Sequence, residues 1–442
     1  MMWLLVSAAL AADLPLEAAL RRAVETSEDV NVASAGVEGA AADQRAARSA
    51  WLPSASGSAS YSHTFASEYD DLFGDTGGGA SAFSDLPFGQ ADTWRLGLSL
   101  SQGVYQGGRV MAQRALTSAG ASLADSTLAS ARASAVLSAA EAYYNAVLAA
   151  RILEISEATL ARAERTLADT TLANELGRMA DYDVLRAQVE AENQKVAVIQ
   201  QRRTARLAEA NLRRILHLPD DDPLELSGGP DQGVDADVGE LAASIAGVSA
   251  EAETRAAVAQ AELARDAAAA TVSLTRASAL PYLALSASYG LVNYPDGLVP
   301  DSDWRKNVSA GASLSVPLFS GGAVRNQLAS ANADLRAAEE RLEQARGLAR
   351  MDSDDNDAAL DAATAQWTAT TGTVAQAERA LNIAETRFQA GISSQSELAD
   401  ARLLYQQALI NRASAGRDLQ VARIRHALLP ALPLSAGQTS SY

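Results

Sequence analysis

The sequence predicts an α+β membrane protein of two structural repeats, each combining very long coiled-coil helices with a pair of short membrane strands. Three observations carry this. First, the chain is duplicated. Tyr105-Gln106-Gly107-Gly108-Arg109 returns as Phe319-Ser320-Gly321-Gly322-Ala323, and Gly177 returns as Gly391, both at an offset of 214 residues. Second, the 70-residue stretches from Gly107 to Gly177 and from Gly321 to Gly391 carry helical periodicity. A uniform helix of that length would span roughly 105 Å, more than a compact globular domain holds. Third, two pairs of segments alternate with period two, apolar against Ser, Gly and Ala rather than against charge.

Composition narrows the function. The 442 residues include no cysteine, which excludes disulfides, a thiol nucleophile and a Cys-based metal site. His63, His217 and His426 are far apart in sequence and read as structural or solvated. A net charge of -18 argues against nucleic acid and suits a wide, acidic, water-filled interior. No cofactor or metal is implied, and no nucleophile–base pair, phosphate loop or zinc spacing points to an enzyme.

In order along the chain, residues 1–12 are apolar and end in Ala9-Leu10-Ala11 before Asp13, the pattern of a secretory signal peptide, though short and without Lys or Arg. The first repeat covers 13–230. Leu14 to about Ala50 is helical and is closed by Trp51-Leu52-Pro53. Strands are predicted at about 54–65 and 93–105, around a polar loop rich in Gly, Asp and Ser. A long helix follows over 108–176, then a turn at 177–181 and a helix over 181–217 ending at Leu216-His217-Leu218-Pro219. Leu153, Leu160 and Leu167 step by seven, the spacing of a coiled-coil seam. Asp220-Asp221-Asp222 falls in a break before the next helix, which is read from Asp237 to about Ala279.

The second repeat, 231–433, has the same order. Strands are predicted at about 281–290 and 305–318, a long helix over 321–390 with Leu328, Leu335 and Leu342 in heptad step, a turn at 391–395 and a helix over 396–429. The tail, 434–442, reads as disordered.

The strands have the length a tilted strand needs to cross a bilayer, and aromatics sit at their ends. Trp51, Trp94, Tyr105, Tyr282, Trp304 and Phe319 would form the girdles expected at two lipid–water interfaces. Four strands cannot close a barrel, and an open sheet edge is forbidden in lipid, so several copies must share one barrel. The competing reading is a soluble coiled-coil scaffold protein, which explains the heptads but not the strands.

These residues reach a resemblance. The chain resembles the TolC-like outer-membrane efflux proteins over its whole mature length. The features that carry it are Trp51-Leu52-Pro53, Ala279-Leu280-Pro281, the segments Gln102 to Arg109 and Val316 to Gly322, the tips Gly177 to Ala187 and Gly391 to Ala401, and Leu216 to Pro219. The resemblance implies a homotrimer. Each subunit would give four strands to a twelve-stranded barrel in outer-membrane lipid and its helices to a periplasmic tunnel. It further implies docking to a periplasmic adaptor protein and an inner-membrane pump of the RND or ABC type, with this chain as passive exit duct.

Family members close the periplasmic end with carboxylates ringing the narrowest point. Aligning the tip glycines places Glu397 and Asp400 there, three apart on one helix face, with Asp183 and Arg186 at the matching first-repeat positions. The other reading of these acids is a solvated helix N-terminus. Gly177 and Gly391 end their helices where positive φ is wanted and mark the adaptor-docking tips.

Overall fold

The computed structural model describes residues 12–65, 91–219, 224–226, 237–248, 255–295 and 298–434. The predicted signal segment up to residue 11, Asp220-Asp221-Asp222, most of the loop after Phe65 and the tail beyond Leu434 lie outside the described residues. In chain order the elements are β1 (Ala12–Leu14), α1 (Leu16–Thr26), α2 (Glu28–Ser49), β2 (Ser54–His63), β3 (Asp92–Gln106), α3 (Arg109–Glu175) and α4 (Asp181–Ile215). Then come β4 (Leu224–Leu226), α5 (Val238–Ala246), α6 (Ala256–Ala277), β5 (Tyr282–Asn293), β6 (Arg305–Ser315), α7 (Ala323–Gln389) and α8 (Gln395–Leu428). The chain divides into two compact units, one of residues 1–38, 122–262 and 341–442, the other of residues 39–121 and 263–340, so each unit takes segments from both repeats.

The second unit contains the sheet. Its strands run in the order β2-β3-β5-β6, antiparallel throughout. Period-two alternation sorts the side chains onto two faces. One face carries Ala59, Leu96, Leu291 and, at its β6 end, Lys306 in one cross-strand row and Gly57, Leu98, Tyr289 and Val308 in the next. The other carries Ser56, Ser99, Ser288 and Ser309, with hydroxyl pairs at 2.7 Å between Ser56 and Ser99 and between Ser288 and Ser309. A register shift between Gly103 and Tyr105 lets β3 bend as it leaves the sheet.

The first unit is helical. Its main core joins Leu20 of α1, Val136, Ala140 and Tyr143 of α3, Leu212 of α4, Ala242 of α5, and Ile424 and Leu428 of α8. Alanine is frequent there because small side chains let helices approach. Gly239 in α5 is the extreme: a Cβ would stand 3.0 Å from the Arg423 carbonyl oxygen and 3.1 Å from the Ala427 Cβ. The heptad leucines behave differently from a leucine zipper. Leu153, Leu160 and Leu167 are half-buried, whereas the residues three further on, Ser156, Ala163 and Thr170, are at most 3% exposed. The second repeat keeps the offset at first, with Ala331 and Ala338 buried beside half-buried Leu328 and Leu335, but the third heptad leucine, Leu342, is itself buried.

Several boundaries differ from the sequence reading. The helix read from Leu14 to Ala50 is two helices separated at Ser27, whose backbone N–H bonds the Ala23 carbonyl to end α1. The helix read from Asp237 to Ala279 is also two, because Gly247 takes φ +70 and caps α5. β1 and β4 form a short parallel pair, where the sequence reading placed the end of a signal segment and an irregular break. Neither three-residue strand is long enough to show an alternation. Leu434, assigned to a disordered tail, packs against the small cluster of Val258, Leu342 and Ala349.

The duplicated Gly-Gly turns share backbone but not surroundings. Gly107 and Gly321 have φ +59 and +62. A Cβ at Gly107 would meet Leu280 Cβ at 2.6 Å and the Ala277 carbonyl at 3.0 Å, while at Gly321 nothing lies within 4 Å. Gly321→Ala is therefore expected to cost about 1 kcal/mol, for the left-handed backbone alone, and Gly107→Ala about 2 kcal/mol or more. Thermal unfolding followed by circular dichroism in detergent checks this; equal losses would refute it.

Candidate functional site

The tip of the first unit is two helix–turn–helix hairpins, α3–α4 and α7–α8. Each turn is built the same way. Gly177 at φ +72 donates to Asn174, and Arg178 donates to Ala173; Gly391 at φ +70 donates to Phe388, and Ile392 donates to Arg387. This is the paired-bond helix end that a left-handed glycine permits. Asn174 adds side-chain bonds of 2.9 Å to the Met179 carbonyl and the Asp181 carboxylate. Ser394 caps α8 by accepting from the Glu397 N–H at 3.3 Å.

Glu397 and Asp400 are both exposed near the start of α8, and Leu398 between them is buried, so the two carboxylates share the outer side of the helix. Asp183 is half-buried in the first turn of α4. Arg186 donates to the Ser396 hydroxyl at 3.1 Å. With its amide oriented to satisfy both ends, Gln395 donates to the Asp183 carbonyl and accepts from the Ala187 N–H. The structure thus joins the starts of α4 and α8 through Arg186, Ser396 and Gln395. Among the described residues none of the four acid and arginine positions is in an ion pair within 4 Å.

Above the turns a second set of contacts ties α3 to α7 and α8. Arg402 donates to the Thr166 hydroxyl at 2.6 Å and faces Glu385 at 3.8 Å, and Arg162 lies over the Tyr405 ring at 5.1 Å. Burial lowers the Arg402 pKa, and the charges of Arg162 and Arg165 push the same way against Glu385. Arg412 clamps α8 to α7. It donates at 2.7 Å to both the Trp367 carbonyl and the Thr371 hydroxyl and stacks 3.1 Å from the centre of the Trp367 ring. Sequence reasoning missed these arginines because they sit among other charges on helices with no marked apolar face, and no local pattern sets them apart.

In the sheet, the aromatics fall at the two strand ends. Trp51, Tyr105, Tyr282 and Phe319 stand where the chain meets the helices, and Tyr61, Trp94 and Trp304 stand at the loop end. Trp51, Tyr105, Tyr282 and Phe319 are exposed, whereas Trp94 packs on Tyr61 at 5.1 Å and donates to the Leu298 carbonyl at 3.0 Å. Asp92 accepts from Tyr61 at 2.6 Å and lies 2.7 Å from His63 Nδ1. The sequence reading left Asp92 in the loop and so did not see that cluster. Leu98, Leu100, Leu285, Val308 and Leu314 lie uncovered on the apolar face.

A sheet with one uncovered apolar face and one serine face, in a chain whose very long helices occur in two repeats, is the architecture shared by outer-membrane channels. The model of the outer membrane efflux protein family matches residues 19–216 and 248–439, and the chain belongs to that family. Solved structures agree in fold. The outer membrane protein VceC of Vibrio cholerae is 21% identical, with 93% of this chain and 95% of that one covered at a TM-score of 0.76. The Campylobacter jejuni CmeC outer membrane channel is 16% identical, with coverage of 96% and 87% and a TM-score of 0.78. The open-state MtrE outer membrane channel of Neisseria gonorrhoeae is 20% identical, with coverage of 97% and 94% and a TM-score of 0.75. Comparison with curated protein sequences gives no match.

Arg412→Ala removes two strong hydrogen bonds and a stacking contact and is expected to destabilise the protein by about 1–3 kcal/mol. Arg412→Lys should recover less than half, because an ammonium does not stack as a planar guanidinium does. Chemical unfolding of the three proteins checks this, and full recovery by lysine would refute the stacking role.

Proposed function

We propose that the chain is one subunit of a homotrimeric exit duct, anchored in outer-membrane lipid and extending into the periplasm. The observation that supports this most is the sheet's pair of open edges, β2 and β6. Hydrocarbon offers no partner for unpaired N–H and C=O groups, so both edges must find strands elsewhere. The strands alternate in direction and number four per chain, so β6 of one copy meets β2 of the next antiparallel. Two copies would give eight strands, an interior just wide enough to be filled by side chains; three give twelve and leave a lumen.

The faces suit that arrangement. The serine rows line water, and the leucine, valine and tyrosine rows meet lipid. From Trp94 to Tyr105 the strand rises roughly 36 Å, or about 26 Å of depth at a 45° tilt, close to the apolar band of such barrels. The helices also call for partners. Tyr182, Leu185, Val189, Val196 and Ile199 of α4 follow coiled-coil spacing, yet each is more than half exposed in the single chain. A neighbouring subunit would cover that seam. Among the described residues no helix is long and apolar enough to cross a membrane, so strands alone would carry the chain through lipid.

The duct is passive. An inner-membrane pump supplies the energy, and a periplasmic adaptor docks at the tips formed by Gly177 and Gly391. Threefold symmetry would bring six carboxylates, from Glu397 and Asp400, around one axis, a ring that selects for cations. Arg186, Asp183 and Gln395 would set how tightly the tip closes.

Light scattering of the detergent-purified protein is expected to give the mass of three chains, and a water-soluble monomer without detergent would refute the duct. In planar bilayers, Glu397→Ala with Asp400→Ala should change cation conductance and weaken block by multivalent cations. If neither changes, the carboxylate ring is not the gate.

A further inference from the structure

Between α3, α7 and α8 the first unit has a cleft of about 380 Å³. Arg162, Arg165, Thr166, Asp169 and Thr170 line one wall, and Glu385, Phe388, Leu398 and Arg402 line the other. That volume is at the lower end for a small-molecule site. Its polar groups are unevenly satisfied. Three guanidiniums meet two carboxylates, and the one ion pair among them is Arg402 with Glu385, at 3.8 Å. Glu190, which also accepts from Gln194 at 3.0 Å, lies near Arg402 and brings the carboxylates around the three guanidiniums to three. Among the described residues neither Arg162 nor Arg165 has a carboxylate partner; Arg165 bonds only the Ala161 carbonyl of its own helix.

Two buried donors are left over. Arg402 Nε has no hydrogen-bond partner among the described residues. Thr170 is 1% exposed, and its hydroxyl is also without one. Thr159, Thr166 and Thr171 return their hydroxyls to the carbonyl four residues back, so Thr170 departs from its own helix. Leaving such groups unpaired costs free energy, and because both atoms have almost no accessible surface in the cleft, a ligand oxygen recovers it only as the wall shifts to admit it.

We propose that this cleft binds a small organic anion, with a carboxylate or phosphate head held by Arg162, Arg165, Arg402 and Thr170 and an apolar body against Phe388 and Leu398. Guanidiniums match oxyanions in geometry as well as charge. An inorganic ion would leave the Phe388 and Leu398 side of the cleft unfilled, which is why the inference specifies an organic anion.

The test is isothermal titration of the full chain, purified in detergent, with phenyl phosphate and benzoate, and with benzamide as the neutral counterpart. The expected result is one anion per chain, with benzamide at least about tenfold weaker, the loss expected for missing charge-assisted hydrogen bonds. The double variant R162Q/R165Q should weaken anion binding by a similar factor, with its folding checked by circular dichroism. T170V keeps the volume and removes only the unpartnered hydroxyl, and should weaken binding a few-fold, so the inference stays testable if the double variant misfolds. Equal affinity for benzamide, no binding by either anion, or unaltered binding in both variants overturns the proposal. The titration reads the cleft alone, so its failure is distinct from failure of the duct.

Discussion

A strand edge cannot be left unpaired in hydrocarbon, and most of this architecture depends on that. An isolated backbone amide or carbonyl in lipid costs several kcal/mol, and an edge strand carries a row of them. β2 and β6 are such edges, fully exposed along their length in the single chain. The serine and leucine faces then have definite meanings only relative to a closed cylinder. A one-residue slip in any pairing would turn serine to lipid and leucine to water, so the alternation also fixes register. The Ser56–Ser99 and Ser288–Ser309 hydroxyl pairs reinforce that register on one face, while small residues such as Ala55, Gly57 and Ala59 smooth the other.

The helical unit solves a different problem. Its long helices have too few large side chains to build a thick core, so contact is made through small ones. Ser156, Ala163 and Thr170 form the buried line of α3, with the heptad leucines flanking it. Specificity then passes to polar contacts between helices. Arg22 donates at 2.8 Å to the Leu216 carbonyl and at 3.1 Å to that of His217, closing the end of α4, where His217 sits at φ 49. Gln260 reaches Ser130 across helices, and Arg255 meets Asp352. Such bonds contribute modestly to stability but strongly to which helix faces meet, because a misfit leaves a buried donor unpaired.

The sequence showed what was periodic or repeated. Alternation located β2, β3, β5 and β6 to within a few residues, and the two glycines located both tip turns. What it did not show was set by distant contacts. Ser27 divides α1 from α2 with no proline or glycine to mark it. β1 and β4 pair with each other across more than 200 residues of chain. The heptad leucines were visible, yet the buried line beside them was not, because serine and threonine do not announce burial. At the tip, Glu397 and Asp400 could be placed by alignment on a glycine, but Ser396 and Gln395 as partners of α4 could not. Arg402 and Thr170 acquire interest only once folding brings them to one cleft.

The composition of the main core carries a consequence for assembly. It unites Leu20 with Leu212, and both with Ile424 and Leu428 near the other terminus. No contiguous part of the polypeptide can complete it, so its earliest helix must stay unshielded until almost the last has arrived. Contacts this distant in sequence close late, and the apolar face of α1 is exposed until they do. An incomplete chain therefore carries an unshielded apolar helix for as long as its second half is missing.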